Sequence, residues 1–196
     1  MSFFSLNFSK KPRRLFVVIG LGLTTIMSTS AIGYVKTASS DAKSTGNNGQ
    51  PISSTVVIDK VFVDKSDRIL QLLSGDKVIK SYHIALGDSP VGHKQQQSDE
   101  RTPVGAYILD YKNENSIAHR SIHISYPNAA DKARARSRGV HPGGDIMIHG
   151  QMNGFGHLAW INQQRDWTDG CIAVTDNEMD EIMAAVEVGT SIEIVE

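Results

Sequence analysis

The chain of 196 residues has almost no cysteine: Cys171 stands alone. A single thiol excludes an internal disulfide and any multi-thiolate metal site. An excess of charge is also missing, since 20 basic and 21 acidic residues leave a formal net charge of -1. Without a bulk positive field the chain has no electrostatic draw on nucleic acid, so no nucleic-acid partner is expected. No internal repeat is found at the usual periods, and helical signals are few. The length suits one domain with its own hydrophobic core and is too short for two.

What is present is organised from the N-terminus onward. Lys10, Lys11, Arg13 and Arg14 precede an uncharged run from Leu15 to Val35, and Ser28 to Ala31 supply small residues for cleavage. A basic flank followed by an apolar run is an export signal. The run is also close to the ~20 residues that cross a bilayer as a helix, so an uncleaved anchor in contact with the inner membrane is the alternative. Either way the remainder is expected outside the cytoplasm, in the periplasm. Residues 1–36 therefore read as a signal peptide or membrane anchor. Residues 37–54, rich in Ser, Gly, Asn and Thr, read as a flexible linker, and residues 55–196 as the folded catalytic domain.

Within that domain, short apolar runs predict a mainly β fold with a few helices. Residues 55–63, 68–75 and 77–86 look like consecutive antiparallel strands, with Ser74-Gly75-Asp76 as a turn. Further strands are expected over 105–110, 121–125, 145–149, 171–174 and 191–195. Thr175 and Glu178 form a capping box ahead of Met179, Ile182, Met183 and Val186, which recur at one-face helical spacing. A second, more polar helix is expected over 128–138, capped by Asn128.

Two residues stand out chemically. Cys171 follows Gly170 and leads into a β-prone run and the capped helix, a junction that holds a side chain rigidly. Gly170 permits backbone angles that turn neighbouring N–H groups toward one spot, as an oxyanion hole requires. A lone cysteine is most often a small buried hydrophobe, but a free thiol in an exported protein is a candidate nucleophile. An unperturbed thiol is only a few per cent thiolate at neutral pH, so it needs a base. His149 ends the apolar run Asp145 to His149 and is the candidate. His141, His149 and His157 recur every eight residues, which matches no ligand spacing on one element, so no metal is expected. The polar stretch 87–105 has the profile of a functional loop. Arg134, Arg136 and Arg138 form either a substrate-carboxylate site or a solvated basic face.

Several stretches carry a family resemblance: Ala85-Leu86-Gly87, Pro90 to Lys94, Arg101 to Gly105, Ile122 to Pro127, Pro142 to Gly150 and Asp166 to Thr175. In this order they resemble the L,D-transpeptidases of the YkuD type, and within them the YafK-like branch. The resemblance implies a β-sandwich or barrel-like catalytic domain with Cys171 as nucleophile and His149 as base. It implies that the Gly150 carbonyl orients the imidazole and that backbone donors at Asp169, Gly170 and Cys171 form the oxyanion hole. Trp167, Thr168, Arg134 and Arg138 become the expected substrate contacts. No cofactor is implied, and the partners are peptidoglycan stem peptides. Most members read Ser/Thr-His-Gly-Cys and then Ile/Val-Arg, whereas this chain has Thr168-Asp169-Gly170-Cys171 and Ile172-Ala173. That departure implies, as the alternative to stem-peptide transfer, hydrolytic release of a peptidoglycan-linked lipoprotein.

Overall fold

A computed structural model describes residues 50–196; the expected export segment and linker residues 37–49 lie outside the described residues. Eight strands form one sheet in the order β3-β2-β1-β8-β4-β5-β6-β7. They are β1 (Lys60–Asp64), β2 (Ile69–Ser74), β3 (Lys77–His83), β4 (Gly105–Asn113), β5 (Ser121–Ile124), β6 (Met147–His149), β7 (Ile172–Ala173) and β8 (Ser191–Val195). The first three pair antiparallel, as their alternation predicts. Gly75 makes the tight turn between β2 and β3 with φ +58°, where a side chain is disfavoured.

One strand serves both halves of the sheet. The first half of β4 pairs with β8 and the second with β5, and the register shifts between Leu109 and Tyr111. An irregularity of this kind bends a strand and increases its twist, so the sheet curls into a half-barrel instead of lying flat. The inward residues then meet in one core that includes Val61, Val63, Leu70, Leu72, Leu109, Ile122, Ile148, Ile172 and Ile194. Helix α3 (Asp176–Ala185) covers this core with Met179, Ile182 and Met183. Its capping box is present: Thr175 Oγ1 accepts from the Glu178 N–H, and the Glu178 carboxylate accepts from the Thr175 N–H.

Helix α1 (Ala129–Ser137) lies on the surface and is capped by Asn128, as expected, with Asp131 completing a second capping box. Two elements differ from the sequence reading. Strands β6 and β7 are shorter than the apolar runs that contain them, and Cys171 sits just before β7 rather than inside it. A 3₁₀ turn at Gly156–Leu158 and the single-turn helix α2 (Ala159–Asn162) occupy the crossover between them, where neither has a side-chain cap to signal it. Contacts with the domain also begin before Thr55. Ile52 packs on the core, and the Gln50 carbonyl accepts from Lys80 Nζ at 2.8 Å. No helix among the described residues is long and apolar enough to cross a membrane.

Candidate active site

β6 and β7 run parallel and adjacent, with His149 opposite Ala173. Side chains alternate along each strand, so Cys171, two residues before Ala173, projects from the same face as His149. Both residues line a hollow of about 450 Å³, together with Met147, Trp167 and Asp169 and with Ile117 and Met152 from neighbouring loops. The sulfur lies over the start of β6, 3.6 Å from the Asp145 carbonyl oxygen.

His149 is buried, and its Nδ1–H donates to the Gly150 carbonyl at 2.6 Å. A carbonyl only accepts, so this bond assigns the proton to Nδ1 and leaves Nε2 with a free lone pair. The Trp167 ring meets the imidazole edge-on, with centroids 5.7 Å apart, and limits its tilt. Burial pushes the imidazole below its ordinary pKa, against the opposing pull of the Gly150 carbonyl. Burial likewise pushes the Cys171 thiol up; the Met147 N–H and Lys94 act against this, and Asp169 and Asp145 add to it. Burial thus disfavours the charged form of both groups.

The turn that presents the cysteine is braced from within. Thr168 Oγ1 donates to the Cys171 carbonyl at 2.8 Å and accepts from the Gly170 N–H at 3.2 Å. Thr102 Oγ1 holds the Gly170 carbonyl at 3.0 Å. Two expectations change as a result. The Gly170 N–H is already given to Thr168 and is not a spare oxyanion donor. The Thr168 hydroxyl uses its proton and one lone pair inside the turn, which leaves one acceptor lone pair on a residue that lines the hollow. The N–H groups of Asp169 and Cys171 carry no such bond among the described residues.

The expected arginines also lie elsewhere. Arg134 donates to Asp131, one helical turn back, and to His93 Nε2 at 3.0 Å, while Arg138 donates to Gln95. Neither lines the cysteine hollow. The reason is local: α1 carries its own buried acid, Asp131, on the face that packs inward.

The loop over residues 87–105 does reach the site. Lys94, Gln97, Ser98 and Glu100 line a second hollow of about 420 Å³, which shares Asp145 and Asp169 with the first. Asp99 ties this loop together, with Lys94 Nζ at 2.8 Å and the N–H groups of Gln95, Gln96 and Arg101 all donating to its carboxylate. A larger hollow of about 800 Å³, between residues 50–58 and α3, has neither cysteine nor histidine in its walls. Sequence reasoning missed the wall formed by residues 113–118, whose polar loop composition gives no signal beyond its position between two strands.

Comparison with known proteins agrees with this geometry. The family model for the YkuD L,D-transpeptidase catalytic domain matches residues 58–194. The chain is 26% identical over 155 residues to YafK of Escherichia coli K12, which is named provisionally as an L,D-transpeptidase; the match covers 76% of this chain and 61% of that protein. The chain thus spans about three-fifths of the length of that relative. Among solved structures, the helical cell shape determining protein Pgp2 of Campylobacter jejuni is similar at 24% identity and TM-score 0.55, over 77% of this chain and 52% of that one. Bd1075 of Bdellovibrio bacteriovorus is similar at 21% identity and TM-score 0.51, over 74% and 51%. These two likenesses concern the fold alone. The family match covers most of the folded residues and includes both Cys171 and His149, and the chain belongs to the YkuD family of L,D-transpeptidase catalytic domains.

Proposed function

We propose that this domain is a cysteine acyl-transferase of peptidoglycan stem peptides, with Cys171 as nucleophile and His149 as general base. The observation that carries this reading is that His149 on β6 and Cys171, at the entry to the adjacent strand β7, line one hollow. Attack of the sulfur on the carbonyl of the third stem residue passes the thiol proton to His149 Nε2. The oxyanion that forms is met by the N–H groups of Cys171 and Asp169. Collapse breaks the C–N bond, and the imidazolium returns its proton to the departing amine. The resulting thioester is then resolved by an amine or by water. Burial disfavours the charged form of both groups, and His149 Nε2 is the acceptor for the thiol proton in this scheme.

A hydrolytic reading, in which water resolves the thioester and a peptidoglycan-linked lipoprotein is released, is favoured by one observation. Asp169, exposed at the rim, stands where most of the family has histidine. Either reaction serves wall remodelling, in line with the cell-shape role named for Pgp2. Both also require a periplasmic domain, which fractionation of cells expressing the full chain would establish.

Mass spectrometry of peptidoglycan fragments incubated with the protein and with Cys171→Ala tests the reading. New cross-linked dimers indicate transfer; trimmed stems or freed lipoprotein indicate hydrolysis. Identical products from both proteins would exclude Cys171 chemistry and leave a wall-binding module.

A further inference from the structure

Gln151 is fully buried, lies outside the walls of the cysteine hollow, and hydrogen-bonds to neither Cys171 nor His149. Its bonds explain why it is there. In a regular parallel ladder a residue gives its N–H to one position on the neighbouring strand and its carbonyl accepts from the position two residues on. Val174 begins this pattern, with its N–H donating to the His149 carbonyl at 2.9 Å. The partner of the Val174 carbonyl should then be the main-chain N–H of Gln151. That N–H instead donates to Asp176 Oδ1 at 2.7 Å. The Val174 carbonyl is met by the Gln151 side chain, with Nε2 donating at 2.7 Å.

The main chain has left the ladder one residue after the histidine, and a side-chain amide replaces the bond it gave up. The departure itself belongs to the site, since it lets the Gly150 carbonyl turn back to His149 Nδ1. Gly150 is confined in that turn. A Cβ there would stand 2.7 Å from Asp176 Oδ1 and 2.9 Å from the Cβ of His119. The β6–β7 ladder is only two pairs long, Ile148 with Ile172 and His149 with Ala173. Ala173 is also held on its other edge, where it exchanges bonds with Ala85 at 2.8 and 2.9 Å, so β7 and the adjoining Cys171 are fixed. The end of β6 is the side left to be set, and a one-residue slip there would turn His149 to the opposite face. The far end of the Gln151 amide is held in turn by Asn162 Nδ2, which donates to its Oε1 at 3.0 Å.

We propose that Gln151 is a positioning residue that sets the offset between Cys171 and His149 by closing the β6–β7 ladder with its side chain. This rests on the reading of these two residues as nucleophile and base. It needs a residue with a donor at its tip and enough length to span the gap left by the diverging chain. Asparagine is too short, methionine lacks the donor, and glutamate would set a carboxylate against a carbonyl.

The test measures iodoacetamide alkylation of Cys171 from pH 5 to 10 in the full chain, alongside turnover of a disaccharide-peptide substrate. Variants are His149→Ala, Gln151→Met and Asn162→Ala. Gln151→Met is expected to lose the imidazole-assisted part of the profile and to superimpose on His149→Ala. Its kcat should fall by about 10²-fold with KM unchanged, the loss associated with a misplacement of about 1 Å. Asn162→Ala, which frees the far end of the Gln151 amide, should shift the profile part of the way toward that of Gln151→Met. If Gln151→Met does not fold, Gln151→Asn, one methylene shorter, carries the same comparison. A wild-type profile and kcat in a folded Gln151 variant overturns the proposal. A His149→Ala protein that alkylates like wild type overturns the base assignment instead, whatever Gln151 does.

Discussion

Cys171 directly precedes β7, two residues before Ala173, the residue that pairs with His149 on the adjacent parallel strand β6, and both line one hollow. Both are kept from charging by burial, which lowers the imidazole and raises the thiol. In the proposed mechanism His149 acts unprotonated, so activity is lost as pH falls through its depressed value. The acidic limb of kcat/KM is therefore expected below about pH 6.5, the ordinary imidazole range. In His149→Ala, alkylation should follow thiolate alone and keep rising beyond about pH 8.5. An acidic limb above the ordinary imidazole value would show that a nearby carboxylate, not burial, controls the base.

Asp99 gathers the loop over the second hollow. Its partner Lys94 is 3% exposed and has no other salt-bridge partner among the described residues. Burial tends to raise the Asp99 pKa, but the Lys94 ammonium and three N–H donors outweigh it and hold the carboxyl below its usual range. A depressed folded-state pKa gives stability that is present above the unfolded value and lost as pH falls through the folded one. Asp99→Asn leaves Lys94 buried without a counter-charge, and a loss of about 3 kcal/mol is expected at pH 7. Urea denaturation should show the gap from wild type closing as the pH drops below about 3.9. Equal stabilities at pH 7 would mean that the loop is held by other contacts.

Much of this was legible in the residues themselves. Leu70 and Leu72 alternate with polar or half-buried neighbours, and the first three strands followed from that. Thr175 and Asn128 announced their helices because a cap is a local device, written within four residues. What failed to show was non-local or satisfied by the main chain. The Gly170 N–H looked available until Thr168, two residues back, proved to hold it. Gln151 had no spacing to reveal it, since its partners lie 11 and 23 residues away and one is a carbonyl. Strand β7 is two residues long because the chain leaves the ladder at once on both sides, and no periodicity can register so short an element.

Arg134 provides a separation between surface charge and chemistry. Its guanidinium is half-exposed and already engaged with Asp131 and His93. Asp131 is buried, so removing Arg134 strips a counter-charge from a buried carboxylate, a loss of up to about 3 kcal/mol. Arg134→Ala is thus expected to lower stability and to leave kcat and KM for a stem-peptide substrate unchanged. A rise in KM of tenfold or more would return the arginine to the substrate site and imply that α1 moves toward the hollow on binding.

Gly170 tests the turn itself. Its φ is +116°, a backbone region that side chains rarely enter, and an added Cβ would stand 2.6 Å from the Arg101 carbonyl oxygen. Backbone strain of this kind costs about 1–3 kcal/mol, and the loop holding Arg101 must move in addition. Gly170→Ala is therefore expected to lower Tm by about 5 °C or more. The effect on chemistry should exceed the effect on stability. The Thr168 and Thr102 bonds that aim Cys171 both end on the Gly170 main chain, so a shifted turn displaces the sulfur from His149 even in folded protein. Below the Tm of the variant, alkylation should follow the profile of His149→Ala while circular dichroism stays that of wild type. Unchanged alkylation together with a lowered Tm would assign Gly170 to stability alone and leave the aim of Cys171 to the β6–β7 ladder.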